Sequence, residues 1–576
     1  MNVARFAILA GLMGLPAAAQ AERRPNVVVV ITDDQGYGDL SCHGNKELRT
    51  PNMDALHADS VRLSNFHVDP TCAPTRSALM TGKYSRRVGV WHTVMGRSFL
   101  APEETTLAER FGEAGYRTAI FGKWHLGDNY PLRPQDQGFQ HVLVHGGGGV
   151  GQTPDHWGND YFDDTYLRNG HLETFDGYCT DVWFGEATKW LEANKDDPCF
   201  LYLATNAPHS PYDVAESYSE PFKNAGVPSP RAEFYGMIVN IDENLGRFRS
   251  RLDDLGLAEN TIFVFITDNG TAAGHQKGGF NAGMRGNKGS EYEGGHRVPC
   301  FIRWPAGGIS GGHGLDALTA HVDLVPTLCS LAGFPIDLEE DLDGTDLSFW
   351  LRHREDVPCA PVWPGDRTLV VESQRIDHPQ KWRKSAVMTQ RWRLVDQNEL
   401  YDMNVDPGQQ HDVSSRHPDV VRELQKEYER WWEHVSDRNE DYVRIVLGSD
   451  AAPNAELTAH DWHPLSGEIH DVPWSQSATI EKDPPSNGFW AVEFAQPGRY
   501  EFRLRRRPAS HPVAVKATKA TVEAGGVSET ASVDPESGAA VVTLDLPAGP
   551  AKLQTTLTGT DGQTRGAYYL EVERVR

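Results

Sequence analysis

The sequence predicts an α/β fold built on a mostly parallel sheet that is flanked by helices. Two uninterrupted apolar runs carry this prediction, residues 26–31 and 261–266. Such runs are typical of strands that are buried on both faces of a parallel sheet. Weaker runs at 117–121 and 200–204 alternate with helical patterns, such as the one at 231–255. Strands that alternate with helices indicate a largely parallel sheet.

The C-terminal third of the sequence shows two further patterns of secondary structure. Two segments, 382–395 and 399–402, are predicted as short strands, and 417–435 as a charged amphipathic helix. After about residue 450 the pattern is period two between Pro/Gly turns, at 490–494, 500–504 and 568–572, which predicts an appended antiparallel β-sandwich. The predicted units are a catalytic α/β domain over 22–365, a small sheet-plus-helix subdomain over 366–445 and the sandwich over 450–576.

The N-terminus has the pattern of an export signal. Arg5 precedes an apolar run, 6–15, and small residues follow it up to Ala21. This pattern predicts a cleaved signal peptide over 1–21, and the run is too short to span a bilayer. No later segment reaches about 18 apolar residues. We therefore expect a soluble mature protein in the periplasm or outside the cell, with no membrane anchor.

The net charge is strongly negative, at −25 from 55 Lys and Arg and 80 Asp and Glu. A chain this acidic is repelled by phosphate backbones, so nucleic-acid binding is excluded as a function class. An anionic substrate would require a local cationic pocket. The 15 tryptophans fit large cores as well as sugar-stacking surfaces, and composition does not separate the two.

Seven cysteines leave at least one outside any disulfide, and none of their spacings is C-x-x-C. A zinc site is therefore unsupported. The pairing of the others is open, and Cys72 is the one that we expect to remain unpaired.

Acidic residues follow both strong strands. Asp33 and Asp34 come after the first, and Asp268 and Asn269 come after the second. Ligands of open α/β sheets bind beyond the carboxyl ends of the strands. Three carboxylates and an amide oxygen suit Ca²⁺ or Mg²⁺ better than zinc. Each Asp pair taken alone also fits a turn or a helix cap.

Cys72 opens the segment C-A-P-T-R. Pro74 suits the first turn of a helix, which puts Cys72 at the helix N-terminus, where free N–H groups favour an anion. Arg76 adds a forked cation one turn later. The same residues also fit a helix cap of purely structural role beside a buried thiol.

This segment, continued by L-M-T-G at 79–82, resembles the C-x-P-x-R signature of the formylglycine-dependent sulfatases, which belong to the alkaline phosphatase superfamily. The resemblance spans roughly 24–440 and implies an alkaline-phosphatase-like fold. Further similar blocks follow in the family's order: D-D-Q-G-Y-G-D at 33–39, G-K-W-H-L-G at 122–127, A-P-H-S-P at 207–211, T-D-N-G at 267–270 and E-G-G-H-R-V-P at 293–299.

The resemblance implies a sulfatase that hydrolyses sulfate esters. Cys72 would be oxidised by a maturase to formylglycine, and one hydroxyl of the aldehyde hydrate would attack sulfur. The implied Ca²⁺ ligands are Asp33, Asp34, Asp268, Asn269 and an oxygen of the modified Cys72. Arg76 and Lys123 would stabilise the hydrate and the sulfate. His125 would remove the proton of the second hydroxyl. His209 and Lys288 would bind sulfate and stabilise or protonate the leaving oxygen.

Two alternatives stay open at this stage. Relatives in the same superfamily with the same nucleophile and metal site hydrolyse phosphodiesters or phosphonate monoesters. A second alternative is a carbohydrate-binding or adhesion module with a vestigial catalytic domain, which the intact C-A-P-T-R segment and both lysines argue against. We expect a sulfated carbohydrate as substrate, with Trp91, His92, Trp157 and 374–378 as candidates for a sugar subsite.

Overall fold

The computed structural model describes residues 23–337, 340–353 and 367–575. The predicted signal peptide, 1–21, lies outside the described residues. Within them, no helix is long and apolar enough to cross a membrane.

The largest sheet has ten strands with a parallel centre. All four strands predicted from apolar runs belong to that centre, so the mostly parallel α/β fold is confirmed. The pairings towards both edges are antiparallel, except for one short parallel pair at the edge. Across the sheet the strands are Gly314–Leu315, Val61–Leu63, Cys300–Arg303, Thr261–Thr267, Asn26–Thr32, Cys199–Ala204, Arg117–Lys123, His141–His145, Thr165–Arg168 and His171–Thr174.

The central strand is apolar along its whole length because both of its faces are covered. Val27, Val29 and Ile31 belong to one buried cluster, and Val28 and Val30 belong to another. Alternate residues of a strand point to opposite faces, so an unbroken apolar run fills two cores. The helices of the catalytic unit are Pro51–Asp59, Cys72–Thr81, Leu107–Glu113, Cys179–Ala193, Glu216–Asn224, Arg231–Asp254, Glu293–His296, Leu324–Leu331 and Ser348–Arg352.

The register of the central strands brings their carboxyl ends to one edge. Thr32 is aligned with Thr267, and the backbone N–H of Asp268 donates to the carbonyl of Thr32 at 3.1 Å. Asp33 and Asp268 therefore leave the sheet side by side.

A small antiparallel sheet follows, with its strands at Leu369–Glu372, Ser385–Met388, Trp392–Val395 and Glu399–Asp402. The helix Pro418–His434 covers one face of this sheet with a cluster that includes Tyr428. The other face packs on the catalytic unit and includes Ala78 of the helix Cys72–Thr81. The small sheet thus supports the helix that begins at Cys72.

Two facing sheets form the C-terminal β-sandwich, with Trp462, Trp490 and Phe502 in their shared core. Its pairings are antiparallel apart from that of Ile445–Leu447 with Gly488–Phe494. One sheet contains Ile445–Leu447, His463–Pro464, Gly488–Phe494, Ala517–Ala524, Val527–Ser532, Gly549–Gly559 and Thr564–Arg565, and the other contains Asn454–Thr458, Gly498–Arg505, Ala540–Leu546 and Tyr569–Val575.

A buried ion pair ties the small sheet to the catalytic unit. Arg393 Nε donates to Glu293 Oε1 at 2.6 Å, and both side chains are almost fully enclosed. Burial acts to raise the pKa of Glu293, but Arg393 and the other neighbouring basic groups together lower it below its usual value. Glu293 therefore stays ionised only because a cation accompanies it.

Arg393→Met is expected to destabilise the protein by about 3–5 kcal/mol, because it leaves the Glu293 carboxylate buried without its main partner. Urea unfolding followed by tryptophan fluorescence measures the loss. The matched control is Arg391→Met, just before the strand Trp392–Val395 that carries Arg393, where a half-exposed arginine pairs with Asp402 and little change is expected. Equal midpoints for the two variants would contradict this prediction.

Candidate active site

Cys72 is the first residue of a buried helix. Thr71 precedes it in extended conformation, and all ten residues of the helix Cys72–Thr81 are buried. The unpaired N–H groups and the dipole of a helix N-terminus favour negative charge. Burial raises the pKa of the Cys72 thiol, although Lys123 and Lys288 oppose the shift. The group at position 72 is therefore enclosed among charges rather than exposed to solvent.

Two buried ion pairs flank Cys72. Lys123 Nζ donates to Asp33 Oδ2, and Arg76 Nη2 donates to Asp268 Oδ2 at 2.8 Å. All four side chains are 0% exposed. Lys123 ends the strand Arg117–Lys123, and Arg76 lies one turn into the helix that begins at Cys72. Each cation offsets the desolvation cost of its carboxylate.

Asp34 lies beside Asp268 and is held by several hydrogen bonds. Its backbone has φ +70°, and its N–H donates to Asp268 Oδ1 at 3.0 Å. Its Oδ1 accepts from Lys288 Nζ at 2.6 Å and from Asn269 Nδ2 at 2.9 Å. Burial acts to raise the pKa of Asp34, but Lys288, His209 and the hydrogen bond from Asn269 together lower it. Asp34 thus remains a carboxylate.

The carboxylates of Asp33 and Asp268 lie close together beside Cys72. Oxygens of Asp33 and Asp268 and the Cys72 sulfur lie within 4.8 Å of one another. Among the described residues, Asp33 Oδ1 and Asn269 Oδ1 are buried without a hydrogen-bond partner. Burial and the neighbouring Asp33 raise the pKa of Asp268 to about 7, against Arg76 and Lys123. Buried oxygens that lack donors are the arrangement that a hard cation satisfies.

His125 has one free ring nitrogen. Its Nε2 lies 2.8 Å from the carbonyl of Thr93, which only accepts, so Nε2 carries the proton. Nδ1 is then unprotonated, and it has no partner among the described residues. Burial, followed by the charge of Lys123, holds the pKa of His125 well below its usual value. His125 is a neutral imidazole with a lone pair available.

His209 lines the same cavity as His125. Its Nδ1 donates to the carbonyl of Ser210 at 2.6 Å, and its Nε2 lies 3.9 Å from Asp34 Oδ2. Burial and the charge of Lys288 lower the pKa of His209 to about 3. By contrast, the pKa of Lys288 is raised: burial acts to lower it, but Asp34 together with Cys72 and Asp33 outweighs burial. Lys288 is therefore the charged donor of this pair.

A glycine-rich loop packs against both histidines. A Cβ added at Gly148 would lie 2.2 Å from the His125 ring, and one at Gly149 would lie 3.0 Å from His209 Nδ1. Any side chain at Gly148 would displace the imidazole of His125. The glycines allow the loop backbone to close over the site.

These groups open into a cavity of about 600 Å³. Cys72, His125, His209 and Lys288 are among the residues that line it. A second cavity, of about 500 Å³, is lined by none of the predicted catalytic or metal-binding residues. The larger cavity has the size of a small-molecule site and holds the titratable cluster, so it is the candidate active site.

The structure brings together all of the predicted site residues: Asp33, Asp34, Cys72, Arg76, Lys123, His125, His209, Asp268, Asn269 and Lys288. Of the residues expected to form a sugar subsite, some line the cavity and others do not. Trp157 and Arg375 line the cavity, but Trp91 and His92 are buried and lie outside its lining. The sequence interpretation missed Gln152 and Trp474, which line the cavity too. Neither belongs to a local motif that would have identified it.

The fold and the site define a class of enzyme. A parallel sheet that carries acidic strand ends, with a helix N-terminus and cations around one nucleophile position, is the frame of an alkaline-phosphatase-like hydrolase. The family model described as Sulfatase matches residues 25–334, more than half of the chain. The chain belongs to the Sulfatase family, and it is a sulfatase that hydrolyses sulfate esters.

Individual relatives agree with this assignment. Human arylsulfatase A is 34% identical over 362 residues, which span 58% of this chain and 69% of that protein. The N-acetylgalactosamine-6-sulfatase of Canis lupus familiaris is 31% identical over 377 residues, which span 60% of this chain and 69% of that protein. Among solved structures, Ps i-CgsB in complex with k-i-k-neocarrahexaose has a TM-score of 0.63 at 26% identity, covering 73% of this chain and 99% of that one.

Proposed function

We propose that this sulfatase cleaves sulfate monoesters of a carbohydrate, using a formylglycine hydrate made from Cys72 and one bound Ca²⁺. The observation that carries the proposal is the position of Cys72, at a buried helix N-terminus between two carboxylate–cation pairs and within the catalytic cavity. A free thiol has no evident role in that position. A hydrate offers a hydroxyl nucleophile and a second hydroxyl for its own regeneration.

The acidic cluster fits a hard cation. We infer that Asp33, Asp34, Asp268 and Asn269 hold Ca²⁺ together with an oxygen of the modified residue 72. The two buried oxygens without partners and the raised pKa of Asp268 support this ligand set. A bound Ca²⁺ supplies positive charge next to the nucleophile and the sulfate oxygens.

Fixed cations of the chain stabilise the charge that develops on sulfate. Lys123 and Lys288 lie on two sides of the carboxylate cluster, and Arg76 is held by Asp268 and by the carbonyl of Lys123. S–O cleavage builds negative charge on the non-bridging and leaving oxygens. Donors that are already oriented stabilise that charge without reorganisation.

His125 suits the role of base. Its Nδ1 is unprotonated because Nε2 donates to Thr93. After the first hydroxyl of the hydrate has attacked sulfur and the alcohol has left, His125 takes the proton of the second hydroxyl. Sulfate then leaves and the aldehyde returns.

His209 and Lys288 suit the leaving-group side. Lys288 is charged and donates to the leaving oxygen. His209 is neutral among the chain's own charges, and an anionic substrate beside it raises its pKa, because an opposite charge favours the protonated form. Either group stabilises the departing alkoxide.

A carbohydrate substrate is supported by the relatives and by the cavity. One relative is an N-acetylgalactosamine-6-sulfatase, and one structural neighbour is in complex with k-i-k-neocarrahexaose. The cavity of about 600 Å³ admits a sugar ring. The N-terminal pattern supports export to the periplasm or beyond the cell, and the C-A-P-T-R segment supports a formylglycine-generating maturase as a partner.

The first prediction is that Cys72 carries formylglycine. Protein expressed with a maturase should yield the tryptic peptide 63–76 with an aldehyde in place of the thiol, by mass spectrometry. The peptide 298–303, which contains the buried Cys300, is the internal control and should keep its thiol. Cys72→Ala should remove activity without changing the unfolding temperature. Full activity of wholly unmodified protein would refute the mechanism.

The second prediction concerns the metal. Asp268→Asn should lose bound Ca²⁺, measured by elemental analysis after dialysis, and about 100-fold or more in kcat/KM, because one ligand charge and the partner of Arg76 are gone. The control is Asp39→Asn. Asp39 is a buried carboxyl whose Oδ2 accepts from the Gly36 N–H at 2.8 Å, and it lies outside the cluster. Calcium retained in Asp268→Asn would disprove the ligand set.

The third prediction separates sulfate from phosphorus esters. In the proposed binding mode, Lys123, Lys288 and His209 contact the non-bridging oxygens of sulfate, and this mode leaves little room for a second substituent on the central atom. We expect kcat/KM for 4-nitrophenyl sulfate to exceed that for a matched phosphodiester or phosphonate monoester by at least about 100-fold, or roughly 2.7 kcal/mol. A preference for the diester would favour the alternative enzyme class.

A further inference from the structure

One wall of the catalytic cavity comes from the C-terminal sandwich. Ile469, Trp474, Ser475, Gln476 and Glu481 line the same cavity as Cys72 and Lys288. We name residues 469–481 the wall segment. It lies between two strands of the sandwich, His463–Pro464 and Gly488–Phe494, and far outside the residues that match the family model.

Apolar packing fixes the start of the wall segment on the catalytic unit. Val472 is 1% exposed and packs with Val94 and Met95, and the Met95 N–H donates to the carbonyl of His460. The contact holds the segment beside Thr93, whose carbonyl orients His125.

Hydrogen bonds fix the segment on either side of Trp474. The Thr153 hydroxyl donates to the carbonyl of Pro473 at 2.6 Å, and the Thr153 N–H donates to the carbonyl of Trp474 at 3.0 Å. Gln476 Nε2 donates to the carbonyls of Gln152 and Asp155 at 3.0 and 2.9 Å. The backbone of Trp474 is therefore immobilised against the loop that covers the catalytic histidines.

The side chain of Trp474 is left open although its backbone is fixed. The Trp474 side chain is 38% exposed. Of the large apolar side chains that are exposed in the described residues, it is the aromatic one. An exposed indole ring on a fixed backbone, in a cavity that also contains the reacting groups, offers a flat apolar surface for stacking, and an aromatic side chain has only two side-chain torsions to immobilise. The C–H face of a pyranose ring provides such a surface.

We propose that Trp474 is a specificity-determining residue, which stacks on the pyranose ring of the alcohol that leaves from sulfate. This inference rests on the proposed carbohydrate substrate. The ring is present before and after the transition state, so the stacking acts on KM more than on kcat. The C-terminal sandwich is thereby a part of the active site.

The test compares saccharide binding with sulfate binding in the same variants. A panel of sulfated hexose and hexosamine mono- and disaccharides is assayed with the mature full-length enzyme, and the best substrate is used. Trp474→Ala should lower its kcat/KM at least about tenfold through KM, whereas the Ki of inorganic sulfate stays within about twofold. Trp474→Phe should retain most of the activity. Leu465→Ala is the control, since Leu465 is exposed close to the wall segment but does not line the cavity.

Three results would overturn the subsite. The first is a Trp474→Ala enzyme with unchanged KM, and the second is an equal loss of sulfate affinity, which would indicate a general disturbance of the cavity. The third is a wild-type enzyme that hydrolyses 4-nitrophenyl sulfate but no saccharide of the panel, which leaves the sulfatase chemistry intact. Failure of the formylglycine mechanism is recognised separately, by an active Cys72→Ala enzyme.

Discussion

The pairing of four buried charges at the end of the parallel sheet is the constraint on which the rest of the site depends. Asp33 pairs with Lys123, and Asp268 pairs with Arg76, without exposure to solvent. A buried carboxylate without its cation costs several kcal/mol. The three strands and the helix that carry these groups must therefore end at compatible positions. The same requirement places Cys72 beside the carboxylates, since Arg76 and Cys72 share one helix.

The local charge balance also explains how a chain of net charge −25 serves an anionic ester. The cations of the site are fully or largely buried, and each faces a carboxylate of the cluster. Because buried charges interact in a medium of low effective dielectric, these near pairs outweigh the distant acidic surface. The field at the nucleophile is set by a few neighbours rather than by the net charge.

The centre of the fold and of the site was predictable because its signals are local. An unbroken apolar run followed by Asp33 and Asp34 indicates a buried strand with an acidic end, and register then brings two such ends together. The cavity wall gave no such signal. Trp474 reaches the cavity through contacts with residues some 320 positions away, such as Thr153. The expectation for Trp91 was wrong because its ring is covered by Arg97 and its Nε1 donates to the carbonyl of Ile376.

The position of the strand Tyr569–Val575 has a consequence for the biosynthesis of the enzyme. This strand lies between Asn454–Thr458 and Gly498–Arg505, in the interior of its sheet, and Tyr569 donates to the carbonyl of Thr153. A nascent chain that has emerged only as far as the wall segment lacks the strand that completes the sandwich around it. The nucleophile, the acidic strand ends and the base are all synthesised hundreds of residues earlier. Their pocket consequently acquires the wall formed by the sandwich only after translation has passed residue 575, when every residue of the sulfatase core that lines the pocket has already been synthesised.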